Sequence, residues 1–135
     1  MTLGGVKSSI RFELSADRAI KEESFNTLIY RAMKDVCIKC EPLSLCSSGI
    51  GGGEVLRFID DVNYVRKPNE PVDDSDILDI DDMLENAVVY AACMILSRDH
   101  KADYEVLFNK AVNDFQWAIY EGESNVLTAQ EHHYN

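Results

Sequence analysis

Leu78-Asp79-Ile80-Asp81-Asp82-Met83-Leu84-Glu85-Asn86-Ala87-Val88-Val89-Tyr90-Ala91-Ala92-Cys93-Met94-Ile95-Leu96 combines an acidic lead-in with the most apolar helical segment of the chain. From Met83 onward apolar side chains fall on nearly every helical face, the pattern of a helix surrounded by other protein. Upstream, residues 72–82 hold six aspartates in eleven positions. A calcium loop starting at Asp74 would place Leu78 where a ligand is needed and Asp79 where glycine must make the turn, so the spacing fails. Helix initiation fits better: Asp79 as N-cap, Asp82 at the third helical position, and Leu78 stapled against Met83.

Downstream, Ser97-Arg98-Asp99-His100-Lys101 breaks the apolar pattern. Tyr104, Leu107, Phe108, Ala111, Val112, Phe115, Ala118 and Ile119 then recur at helical spacing, which predicts a second helix folded back on the first. Trp117 and Tyr120 project from another face, one turn apart, where they either seat a partner or add core packing against the first helix. Beyond residue 120 the periodicity is lost, and Gly122 and Asn125 suit a helix stop. Val126-Leu127 is the remaining apolar pair there, so 121–135 reads as a tail or an arm that orders against another subunit.

Toward the N-terminus, Pro42 ends an amphipathic helix read over 16–39, with Phe25, Leu28, Ile29, Ala32, Met33 and Val36 on its apolar stripe and Ser15 as its cap. Residues 1–14 carry two glycines and an alternating Ile10-Phe12-Leu14 run, and read as an extended arm or edge segment. After Pro42, the Ser/Gly-rich 43–54 reads as a loop; it lacks the Gly-Lys-Ser/Thr ending of a phosphate-cradling loop. Val55-Leu56-Arg57-Phe58 and Val62-Asn63-Tyr64-Val65 predict a hairpin with a three-residue turn. Pro68 and Pro71 keep the following segment extended.

The chain has 135 residues, 46% of them hydrophobic, enough for one domain with its own core. The expected fold is mainly α: an antiparallel bundle of about three main helices over 16–120, with a small β-hairpin insertion and extended terminal arms, 1–14 and 121–135. No apolar run approaches a membrane span, and the N-terminus lacks a signal peptide's apolar core, so folding in the cytoplasm is expected. The net charge of −11 argues against tight non-specific nucleic-acid binding, although DNA could slide past such a surface. Cys37-Ile38-Lys39-Cys40 is a C-x-x-C without a second pair, which leaves a zinc site short of ligands. Reduced, structural thiols and no cofactor or metal are expected. His100, His132 and His133 have no nucleophile signature near them, so no enzyme activity is expected.

The progression Tyr64-Val65-Arg66-Lys67-Pro68, then Asp73-Asp74-Ser75-Asp76, then residues 78–92 with Ala87-Val88-Val89-Tyr90-Ala91-Ala92, resembles the head-to-tail connector (adaptor) proteins of tailed bacteriophages. The resemblance covers roughly 16–120 and departs from the family pattern in the Ser/Gly loop, 47–53. It implies a structural virion protein in the neck: a self-assembled ring, typically of twelve subunits, beneath the portal protein. Such a ring presents the next tail or neck component and lets genomic DNA pass without specific binding. Arg18, Arg57, Arg66 and Lys67 would then be candidates for contacts to portal acids, with Trp117, Tyr120, Val126 and Leu127 as further partner contacts. The alternative is a small cytoplasmic helical protein-binding or regulatory module that uses Trp117 and Tyr120.

Overall fold

A computed structural model of the chain describes residues 1–14, 21–49 and 53–133, without the side chains of Glu22 and 122–133. It is mainly helical with a small three-stranded antiparallel sheet. In chain order the elements are α1 (Leu3–Leu14), α2 (Glu22–Lys39), β1 (Cys46–Ser48), β2 (Val55–Phe58), β3 (Asn63–Arg66), α3 (Glu85–Leu96) and α4 (Lys101–His133). Single 3-10 turns precede β1 at Leu43–Leu45 and α3 at Asp82–Leu84.

The apolar helix at residues 85–96 is the centre of the fold. α3 packs against α1, α2 and α4, and Ala87, Val88, Val89, Ala91, Ala92 and Cys93 are all buried. Small side chains on α3 let three helices approach one element, and Phe25, Ile29, Met33, Phe108, Val112 and Phe115 complete the interior from α2 and α4. A turn over 97–100 returns the chain along α3, where the Tyr90 and Tyr104 rings stack with centroids 6.5 Å apart.

The expected N-terminal arm is instead helix α1, with Leu3, Val6 and Ile10 fully buried. Thr2 caps it, its Oγ1 accepting the Gly5 N–H at 3.1 Å. Two further N–H groups at this helix start, from Leu3 and Gly4, reach the carbonyls of Asp76 and Asp74, both at 2.9 Å. A Cβ at Gly4 would stand 3.1 Å from the Asp74 carbonyl oxygen, which is why the helix tolerates glycine at that position. The alternating reading picked the wrong period: Phe12 is 83% exposed, while the buried residues follow three- and four-residue steps.

Three other expectations change. The Ser/Gly segment contributes β1, which pairs with β3 through Cys46↔Val65, Ser47↔Tyr64 and Ser48↔Asn63, giving the order β1-β3-β2. The hairpin turn is one residue longer than expected, because β3 starts at Asn63 and leaves Val62 in the loop. α4 runs on to His133, so the segment after Tyr120 continues the helix instead of leaving it; 33 residues span about 50 Å. Ser15, the expected cap of α2, lies outside the described residues.

Candidate functional site

The acidic segment behaves as a set of anchors. Asp79 is not the N-cap of α3, which begins at Glu85 with no side-chain cap, and Leu78 enters the core while Met83 faces solvent. Asp79 instead accepts two hydrogen bonds from Arg66, at 2.8 and 3.1 Å, and one from the Asn69 N–H at 2.9 Å. Its carboxyl is held below the ordinary carboxylate range, chiefly by the Arg66 hydrogen bond. Asp81 accepts the N–H groups of Leu43 and Ser44, at 2.6 and 2.8 Å, and so caps the 3-10 turn after α2. Asp76 closes its own turn through the N–H groups of Val72 and Asp73, both at 2.9 Å. Asp74 meets the buried Lys7 ammonium at 2.7 Å, and Asp82 meets the Met1 amino group at 3.1 Å.

These carboxylates therefore tie α1, the loop after α2 and the sheet to one segment. Charge-assisted hydrogen bonds of this kind are short and directional, which fixes where each element sits.

The cations singled out in the sequence have separate fates. Arg57 donates to the Cys37 carbonyl at 2.7 Å and the Cys40 carbonyl at 2.8 Å, capping the C-terminal end of α2 from the sheet. Arg66 is held by Asp79, so both guanidinium groups make internal contacts. Lys67 is more open, 3.8 Å from Glu54. Arg18 lies outside the described residues. Val126 and Leu127 fall on α4, with side chains outside the description.

Trp117 and Tyr120 are the sequence candidates that the structure brings together. Their rings stack at 5.5 Å, and they are 61% and 60% exposed. Tyr120 also borders a groove of about 340 Å³ lined by Glu41, Leu43, Cys46, Phe115, Gln116 and Ile119. Leu43, 62% exposed, and Cys46 were missed by sequence reasoning. The groove exists because Asp81 pins the turn after Pro42 against α4, a juxtaposition with no local signal.

This surface is suited to docking an apolar side chain beside a carboxylate. An exposed aromatic pair at the rim of an apolar groove has the character of a protein-contact anchor. Burial pushes the thiols of Cys37, Cys40 and Cys93 up to about 12, which makes them poor nucleophiles and metal ligands. Among the described residues, no group of three or more His, Cys, Asp or Glu side chains is arranged to hold a metal ion, and no helix is long and apolar enough to cross a membrane. Comparison with protein-family models, with curated proteins and with solved structures returned no match.

Proposed function

We propose that this protein is a structural component of a tailed-phage neck, a head-to-tail connector that forms a ring beneath the portal. The observation that carries this reading is the motif progression from Tyr64 to Ala92, the tyrosine-and-proline strand ending, the paired aspartates and the Ala-rich helix. Its residues form one unit here: Tyr64 is buried, Arg66 holds Asp79, and Ala87, Ala91 and Ala92 lie in the core. The finer architecture that goes with the reading is an antiparallel bundle of α2, α3 and α4, with α1 docked on α3.

In this role the protein is a scaffold with no catalytic residue and no cofactor. It is made in the host cytoplasm and resides in the virion, at the head–tail interface. A ring of twelve copies, each at −11, would surround exiting DNA with negative charge, which disfavours adhesion. Lys67 and the Trp117/Tyr120 face are the groups offered to the portal or to the next neck component, and the distal part of α4 is the element offered to a neighbouring subunit. Purified protein mixed with portal rings should give capped rings by negative-stain microscopy; a monomer indifferent to portal rings refutes the proposal. Truncation after Tyr120 should leave the thermal melt nearly unchanged and weaken ring formation.

The stacked, exposed Trp117/Tyr120 pair favours a second reading, a small helical module that binds another protein through this face. Under that reading Trp117→Ala abolishes binding to a host protein, and the purified chain forms no ring.

A further inference from the structure

The end of β2 and the β2–β3 turn present apolar side chains to solvent on a fixed backbone, the Phe58 ring resting edge-on against Tyr64 with centroids 6.0 Å apart. Phe58 is 65% exposed and Val62 61%, with Ile59 beside them. This turn is not slack. The Asp60 carboxylate accepts the Val62 N–H at 2.8 Å, the Asn63 N–H at 2.7 Å and the Asn63 Nδ2 at 2.7 Å. The Asn63 carbonyl in turn accepts the N–H groups of Ile59 and Asp60, at 2.8 and 3.2 Å. A turn held this firmly has already lost the conformational entropy that docking would otherwise cost. Asp60 and Asp61 sit at its apex and make it acidic as well as apolar. Its contacts with Asn63 and the turn backbone also keep the Asp60 carboxyl below the ordinary range, and so ionised.

The same chain carries a matching hollow. Between α2, α3 and α4 lies a depression of about 160 Å³ lined by Asp35, Ile38, Lys39, Ala91, Met94 and Phe108. That is close to the roughly 150 Å³ of an apolar cavity known to hold one benzene ring. Cations gather on its α2 side, on a chain that is acidic overall. Lys39 is exposed at its edge and Arg31 lies two turns earlier on the Ile38 stripe of α2, while Lys34 sits over the Tyr30 ring at 4.6 Å; the carboxylates on this side are Asp35 in the lining and Glu105 one turn before Phe108. Among the described residues neither Lys39 nor Arg31 has an ion-pair partner.

We propose that this protein associates with itself by seating the Phe58 ring of one copy in the Ile38/Met94/Phe108 hollow of a second copy. Asp60 and Asp61 then face Lys39 and Arg31. An apolar knob in an apolar hole supplies affinity, and the opposed charges supply register and on-rate. The contact does not rest on the connector reading. Copies that pair this way but ignore portal rings uphold the contact and refute the connector, and a portal-bound ring closed through another surface does the reverse.

The test uses the full chain. Phe58→benzoylphenylalanine, irradiated in a mixture of isotope-labelled and unlabelled protein, should crosslink to Met94 or its hollow in a different copy. Crosslinking within one copy, or to the Leu43/Ile119 groove, overturns the proposal, as does a chain that sediments as a monomer at every concentration. Phe58→Ala should weaken association roughly thirty-fold, as loss of a central anchor does. Lys39→Glu and Asp61→Lys should each weaken it about tenfold, and the double variant should return most of the loss. Neither residue supports the fold through a side-chain hydrogen bond; Asp61→Lys should leave the melt unchanged, and Lys39→Glu, in the last turn of α2, should lower it slightly without unfolding the chain. A double variant weaker than either single change refutes the charge pairing.

Discussion

Replacing Asp79 with asparagine keeps the shape of the side chain and removes its charge. In the native protein Arg66 and Asp79 form a two-pronged pair at 2.8 and 3.1 Å, with side chains 22% and 24% exposed. Exposed pairs contribute about 0–1 kcal/mol, and breaking a fully buried one costs about 3–5 kcal/mol. A pair three-quarters buried lies between, and the amide oxygen of the new side chain could still accept the Asn69 N–H. Asp79→Asn should therefore cost about 2 kcal/mol at neutral pH. With a urea dependence of about 2 kcal/mol per molar, the unfolding midpoint should fall by roughly 1 M. The pH dependence supplies an independent check. Asp79 titrates lower folded than unfolded, chiefly because Arg66 donates to it, so its contribution is present above the ordinary carboxylate value and lost as pH falls through the folded one. Wild type and variant should therefore converge as pH falls from the ordinary aspartate value near 3.9 through the lower folded one. Both proteins weaken in acid, because Asp76 and Asp60 are also held low in each. A midpoint change under about 0.2 M at neutral pH, or a difference that persists undiminished in acid, would refute the anchoring role.

Arg57→Met removes both hydrogen bonds to the end of α2 and should cost about 2 kcal/mol in urea unfolding, with Arg57→Lys recovering only part, since one ammonium cannot span both carbonyls as a fork does; a neutral Arg57→Met sinks the capping role. Gly53 has φ +101°, and a Cβ there would stand 2.7 Å from the Arg66 Cδ. Gly53→Ala should therefore cost about 1–2 kcal/mol and reduce the Arg66–Asp79 coupling in a double-mutant cycle. Of the four cysteines, Cys46 is exposed and Cys37, Cys40 and Cys93 are buried. A thiol reagent should label one cysteine per chain in native buffer and four in denaturant; rapid native labelling of more than one contradicts the packing.

Periodicity carried a large part of the fold. Phe25 to Val36 and Tyr104 to Ile119 place apolar side chains on one face over several turns, and such a pattern has one economical solution. α3 was legible as the centre because its apolar surface has no polar side to turn toward water. The hairpin strands Val55–Phe58 and the Tyr64-Val65 pair were legible from β-rich composition. Of the candidate site, Trp117 and Tyr120 were legible as a neighbouring aromatic pair, whereas the groove beside them was not, because Leu43 and Cys46 come to α4 from the 3-10 turn and the start of β1, far off in the chain.

By itself, then, the sequence determined which segments have a strong local period and which helix must be covered on all sides, because those properties are summed over neighbours in the chain. Tertiary structure decided the rest. Gly4 and Gly5 weaken the intrinsic helicity of α1, and it forms because Leu3, Val6 and Ile10 find α3 and its end groups find the carbonyls of residues 74 and 76. Cys46–Ser48 becomes a strand because β3 offers it an edge. The aspartates of residues 73–82 carry the same charge and the same local prospects as helix caps. Which donor each one meets depends on which elements hydrophobic burial has brought within 3 Å of it, so Asp79 finds Arg66 and Asp81 finds the turn after Pro42.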